Sequence, residues 1–162
     1  MRKYKNNFAF IDSQNLNLGI RDLGWRVDFA RLRIYLREHY CVEHAFLFLG
    51  YLPEYKNLYV SLRHAGFHLV FKSVTRQADG KIKGNCDAEL VLFVMILYRL
   101  FDCAVVITGD GDFACIIEYL RRDQKLEMVL VPNEFRYSAL LKRAAANNLR
   151  GFNKLKDVVS KK

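Results

Sequence analysis

Four aspartates in this sequence lie next to short apolar segments, in positions that could gather them around one metal ion. Asp12 ends the first apolar segment, Asp110 and Asp112 follow a later one, and Asp87 lies between them at the start of a long apolar stretch. Carboxylates that converge without cations repel one another, and a hard divalent cation such as Mg²⁺ or Mn²⁺ removes that repulsion because it prefers oxygen ligands. The pattern therefore predicts a divalent metal site.

Each aspartate also has a simpler explanation when it is taken alone. Asp12 could cap a helix, and Asp110 or Asp112 could serve a turn or a helix N-terminus. Gly109 and Gly111 would leave room for a metal ion or a phosphate to approach the backbone. The position of all four carboxylates at one edge of the predicted sheet favours the metal site over separate caps and turns.

The elements that must position these residues alternate between strands and helices. Apolar runs predict strands at 8–12, 45–50, 67–71, 104–107 and 126–131. Helices are predicted at 28–40, 53–66, 85–101, 113–122 and 135–147, and the polar segment 73–84 is predicted to be a loop. This alternation predicts an α/β fold with three α/β/α layers and a mainly parallel sheet of five or more strands. Sites in such sheets form beyond the carboxyl ends of the strands, where the aspartates lie.

The composition favours a polyanionic partner. The 162 residues predict one domain, 1–162, with a basic tail from about 153, and 26 Lys and Arg against 17 Asp and Glu give a formal net charge of +9. The four cysteines form no CxxC pair and the four histidines match no HExxH motif, so a zinc site is not expected. The longest apolar stretch is too short to span a bilayer, and no signal peptide opens the chain. We therefore expect a cytoplasmic protein with no membrane partner.

Three motifs carry a resemblance to a known family. They are Phe10-Ile11-Asp12-Ser13-Gln14-Asn15, Lys83-Gly84-Asn85-Cys86-Asp87 and Thr108-Gly109-Asp110-Gly111-Asp112-Phe113. In this order and spacing the chain resembles the NYN domain family, a branch of the PIN-like nuclease superfamily, over nearly its whole length. The match is with the small bacterial single-domain members.

The resemblance implies a PIN-like fold and a metal-dependent ribonuclease. By motif position, the metal ligands for Mg²⁺ or Mn²⁺ would be Asp12, Asp87, Asp110 and Asp112, and Asn15 would position the substrate or a metal-bound water. The RNA would be single-stranded, and a homodimer is one arrangement that PIN-like relatives adopt. The residues predicted to contact the substrate are Arg76, Lys81, Lys83, Asn85 and Thr108.

The sequence departs from the family pattern at Phe93, where some relatives carry another acid. Glu89 is not an obvious substitute, because two residues along a helix from Asp87 it points to another side. A non-catalytic RNA-binding module on the same fold is therefore the alternative function. A small-molecule phosphatase of the haloacid-dehalogenase type is disfavoured, because Gln14 stands where such enzymes need a second aspartate. Trp25 could either stack on an unpaired base or pack in the core.

Overall fold

The computed structural model describes residues 5–161, except for the side chains of Ile82 and Lys83. The strands are β1 (Asn7–Asp12), β2 (Val42–Gly50), β3 (Phe67–Lys72), β4 (Thr75–Arg76), β5 (Ile82–Lys83), β6 (Ala104–Ile107), β7 (Leu126–Val131) and β8 (Leu149–Gly151). Six of them form one parallel sheet in the order β3-β2-β1-β6-β7-β8, and β4 and β5 form a separate antiparallel pair.

Helices cover both faces of the sheet. They are α1 (Ser13–Asp22), α2 (Phe29–Tyr40), α3 (Lys56–His64), α4 (Asp87–Ile96), α5 (Ala114–Arg122), α6 (Ala139–Ala145) and α7 (Lys156–Val159). Short 3₁₀ helices occupy Pro53–Tyr55, Gly111–Phe113 and Phe152–Leu155. Among the residues from 5 to 161, no helix is both long and apolar enough to cross a membrane.

The alternation of side chains along β1 explains the two cores. Phe8 and Phe10 belong to one buried cluster, with residues of α4, α5 and α6, whereas Ala9 and Ile11 belong to the other, with residues of α1, α2 and α7. A strand with apolar residues on both faces must be covered on both faces. The structure therefore confirms the predicted three-layer α/β/α fold with a parallel sheet.

The order of the strands brings the motifs together. β1 lies between β2 and β6, and Ile11 is the register partner of Ile107. The residues that follow these two partners, Asp12 and Thr108, therefore leave the sheet side by side.

The prediction missed α1 and β8 and was wrong about other boundaries. α1 follows β1 with no intervening turn, and it buries only Ser13, Leu16 and Ile20, so its periodic signal is short. The predicted loop 73–84 contains the short strands β4 and β5. The helix predicted from 135 begins only at Ala139, because the hydroxyl of Ser138 caps it by accepting from the N–H of Leu140. The helix predicted to reach 101 ends at Ile96.

Candidate metal centre

Asp12 is held at the junction of β1 and α1 by two hydrogen bonds. One carboxylate oxygen accepts from the backbone N–H of Asn15 at 3.1 Å, which makes Asp12 the N-cap of α1. The other accepts from the Thr108 hydroxyl at 3.3 Å. The capping explanation for Asp12 is thus correct, and the cap also fixes the carboxylate beside the end of β6.

The pKa of Asp12 is raised from 3.8 to about 6. Burial is the largest cause, and the nearby charges of Asp87 and Asp110 raise the pKa further, while the hydrogen bonds from Asn15 and Thr108 oppose the shift. A desolvated carboxylate near other carboxylates is unfavourable in its charged form, and a bound divalent cation removes this cost.

Asp110 and Asp112 are positioned by the turn after β6. Asp110 accepts from the N–H of Asp112 at 2.9 Å and so caps the 3₁₀ helix Gly111–Phe113. The N–H of Asp110 donates to the Thr108 hydroxyl at 3.1 Å, and the N–H of Gly109 donates to the side-chain oxygen of Asn15 at 2.7 Å. Thr108 and Asn15 therefore link the end of β1 to the turn that carries the two aspartates.

Asp87 is placed by its neighbour Asn85 at the start of α4. The Asn85 amide donates to the Asp87 carboxylate at 2.7 Å, and the Asn85 side-chain oxygen accepts from the N–H of Asp87 at 2.8 Å. The pKa of Asp87 is raised, first by burial and then by the charges of Asp110 and Asp112, while Asn85 and Lys72 act in the opposite direction.

The structure brings three of the four predicted ligands into one tight group. Asp87, Asp110 and Asp112 each offer a carboxylate oxygen, and these oxygens all lie within 4.8 Å of one another. Asp12 is not part of that group, but it lines the same cavity of about 200 Å³ as Asp87, Asp110 and Asn15. The donor set consists of carboxylate oxygens, which suits Mg²⁺ or Mn²⁺ better than a soft metal.

Pairing by protein cations does not offset these charges. Within the described part of the chain, none of the four aspartates forms an ion pair with Lys or Arg. The charge of Lys72 lowers the pKa of Asp87, but its ammonium group pairs with Glu89 at 3.3 Å. Uncompensated carboxylates around a small cavity satisfy the chemical requirement for a bound divalent cation.

The predicted substrate-contacting residues lie in different surroundings. Arg76 pairs with Glu54, Lys81 pairs with Asp79 at 3.6 Å, and neither is among the described residues that line the cavity. The side chain of Lys83 lies outside the described part of the chain. Asn85 lines the cavity and orients Asp87, while Thr108 is fully buried, with its hydroxyl engaged by Asp12 and Asp110.

Phe93 occupies a packing position. Its ring meets Phe48 edge to face at 5.6 Å between centroids, lies 6.4 Å from Phe46, and joins the core beneath α4. The position of the acid found in some relatives is therefore used for apolar packing. Glu89 is held by Lys72 and does not belong to the tight carboxylate group.

Gln14 and Cys86, to which the sequence analysis gave no role in the site, are among the other residues that line the cavity. Burial raises the pKa of the Cys86 thiol to about 11, so the neutral thiol is favoured at neutral pH. Gln14 lies in the first turn of α1, and recognition of Asp12 as a helix cap would have placed it there. Trp25 is buried in the core, so it packs there rather than presenting a free stacking face.

Comparisons with known proteins agree with this architecture. No curated protein matches the chain. Among solved structures, the crystal structure of a protein of unknown function from Vibrio parahaemolyticus superposes with a TM-score of 0.77 at 22% sequence identity, covering 98% of this chain and 99% of the other. At that identity the similarity establishes the shared fold alone. The sequence matches the NYN domain over residues 8–149, a span that contains all three motifs, and the chain therefore belongs to the NYN domain family.

Proposed function

We propose that this protein is a metal-dependent ribonuclease that hydrolyses phosphodiester bonds of single-stranded RNA at the acidic cavity. The observation that carries the proposal is the convergence of Asp87, Asp110 and Asp112, with Asp12 on the wall of the same cavity. Membership of a family in the PIN-like nuclease superfamily supports a nucleic-acid substrate, and the net charge of +9 supports a polyanion.

The four aspartates and Asn15 have distinct roles in this proposal. Asp87, Asp110 and Asp112 would hold Mg²⁺ or Mn²⁺, and Asp12 would share the ion or orient a water molecule. When bound, such an ion supplies positive charge against the phosphate and lowers the pKa of water for hydrolysis. Asn15 fixes the Gly109 backbone, and its amide group lines the cavity where it can position the substrate.

The first test is cleavage of a labelled single-stranded RNA in Mn²⁺ or Mg²⁺. We expect cutting that is abolished by EDTA and by Asp110→Asn, because an amide removes one anionic ligand yet can still cap the 3₁₀ helix. Asp123→Asn is the matched control, since Asp123 is an exposed aspartate at the end of α5 and lies outside the cavity lining. Metal-independent cutting, or equal loss in both variants, would contradict the proposal.

A second candidate function is a non-catalytic RNA-binding module on the same fold. The packing of Phe93 against Phe46 and Phe48 favours it, because one acid found in some relatives is replaced by a partly buried apolar residue. This candidate predicts that the wild type binds RNA without cutting it in either metal. It also predicts that Asp110→Asn retains RNA affinity or gains some, because one negative charge is removed.

A further inference from the structure

A groove of about 640 Å³ opens directly beside the acidic cavity, between α1 and α3. We call it the α1–α3 groove. The two depressions share five lining residues, Gln14, Leu18, Leu49, Gly50 and Gly84, so the groove directly adjoins the cavity. A strand whose phosphate lies in the cavity would therefore have its neighbouring nucleotide at the mouth of the groove.

The floor of the groove is aromatic and apolar. Trp25, Tyr59 and Leu62 are buried beneath it. Tyr55 stands at its side with 49% of the residue exposed, and Leu58 beside it is 45% exposed. An apolar floor with an exposed aromatic residue beside it suits an unstacked nucleobase, because every base presents a π-face.

The charge of the groove complements a nucleic-acid backbone. Arg21, Arg26 and Lys161 lie on it, whereas no Asp or Glu occurs among its described lining residues. Ser160 and Lys161 are fixed beside the groove, since the N–H of Lys161 donates to the Arg26 carbonyl at 2.9 Å and Ser160 pairs with Val27. The acidic cavity thus adjoins a groove whose charged lining residues, among those described, are all cationic.

We propose that the α1–α3 groove binds an unpaired nucleotide of the RNA next to the bond to be cut. The base lies over the floor against Tyr55, and the adjoining phosphate contacts Arg26 or Arg21. Gln14 and Asn17, both exposed on α1, face the groove with amide groups that can meet the edge of the base. This inference rests on the proposed ribonuclease function, and it restricts the substrate to single strands, because a paired base cannot leave its stack to reach the floor.

The test measures binding of a fluorescent single-stranded RNA of about ten nucleotides to the full chain in EDTA, so that cleavage does not interfere. Tyr55→Ala should weaken binding by at least about fivefold, the loss expected when one base–aromatic stack is removed, and Tyr55→Phe should bind like the wild type. Arg26→Gln should weaken binding and lower the slope of log affinity against log salt by about 0.7, as for one single-strand phosphate. The matched controls are Tyr119→Ala, at a tyrosine 48% exposed on α5, and Arg99→Gln, both outside the groove.

A scan with one abasic position at a time identifies the base. At one position of the RNA, removal of the base should weaken binding to the wild type. Binding to Tyr55→Ala should be weakened little further by removal of that same base, because the variant already lacks the stacking contact. The inference is overturned if no abasic penalty depends on Tyr55, if the wild type binds no RNA, or if duplex RNA of the same sequence loses affinity equally in Tyr55→Ala.

The outcomes separate this inference from the proposed ribonuclease function. If Tyr55→Ala and Arg26→Gln bind and cut RNA as the wild type does while Asp110→Asn cuts none, the groove proposal fails and the ribonuclease stands. If the wild type cuts no RNA in either metal but its binding depends on Tyr55 and Arg26, the groove stands and the ribonuclease fails.

Discussion

At the scale of single residues, Asp12 is held in place by hydrogen bonds in surroundings that disfavour its charge. It caps α1 and holds the Thr108 hydroxyl, which keeps its carboxylate in place, yet the carboxylate is largely buried near the charges of Asp87 and Asp110. The raised pKa means that ionised Asp12 is less stable in the folded protein than in the unfolded chain. In the metal-free protein the site therefore costs stability, which a bound cation would restore.

The sign of this effect gives a pH prediction for Asp12→Asn. Because the pKa is raised from 3.8 to about 6, the folded protein holds this proton more tightly than the unfolded chain. The contribution of Asp12 to stability is therefore greatest below about pH 4 and is lost as pH rises through 6. The shift corresponds to about 3 kcal/mol once Asp12 is fully ionised. Asp12→Asn should not pay this cost, so above pH 6 in EDTA its free energy of unfolding should be higher than that of the wild type.

Urea unfolding of wild type and Asp12→Asn between pH 4 and 8 measures the difference. Addition of Mn²⁺ should stabilise the wild type more than the variant. Parallel stability profiles across this pH range would show that the buried carboxylate carries no such cost.

At the scale of elements, the site depends on how closely α1 lies against the turn after β7. Gly19 is in the middle of α1, and a Cβ built on it would lie 2.6 Å from the Cβ of Pro132. The absence of a side chain lets the helix approach that turn, and Arg136 beyond it pairs with Asp22 at 3.6 Å. The segment that follows Pro132 also contacts the turn that carries Asp110 and Asp112, because the N–H of Ser138 donates to the Gly109 carbonyl at 3.0 Å.

Gly19→Ala tests this approach by the sign of its effect. Helix propensity alone predicts that Ala stabilises by up to about 1 kcal/mol, whereas the overlap with Pro132 predicts destabilisation by about 1–3 kcal/mol. We expect destabilisation in thermal or denaturant unfolding. Pro132→Gly, which removes the opposing Cβ, should recover part of the loss in the double variant, and a stabilised Gly19→Ala would show that α1 and the turn are not in close contact.

At the scale of the whole molecule, the C-terminal segment is packed rather than frayed. α7 follows β8, Val159 is fully buried in the core beneath α2, and the N–H of Asp28 donates to the Val159 carbonyl at 2.7 Å. This packing matters for function, because the same segment places Lys161 on the α1–α3 groove. The basic composition of the segment does not by itself indicate that position.

Val159→Ala should destabilise the protein by about 2 kcal/mol, since it removes buried methyl groups and leaves a cavity. Val158→Ala is the matched control, because Val158 is its neighbour on α7 and is 49% exposed, so its effect should stay within about 0.5 kcal/mol. Denaturant unfolding of both variants measures the difference. Equal effects would mean that α7 is not docked on the core.

The sequence by itself determined the layers of the fold and the edge of the sheet on which the acids lie. Apolar runs on β1 and β6 predict strands buried on both faces, and the aspartates that follow them must then lie at one edge. α1 escaped prediction because only a few of its residues are buried, and β8 is a three-residue strand too short for a periodic signal.

Only the tertiary structure decided which acids meet, which residues hold them and what adjoins them. Sequence position cannot separate Asp12, on the cavity wall, from the tight group of Asp87, Asp110 and Asp112, because that depends on strand order and on turns closed by Asn15 and Thr108. Phe93 likewise packs against the core only because α4 lies over Phe46 and Phe48. Local patterns fix strands and helices, whereas distances between residues far apart in the chain are set by packing, which no single segment encodes.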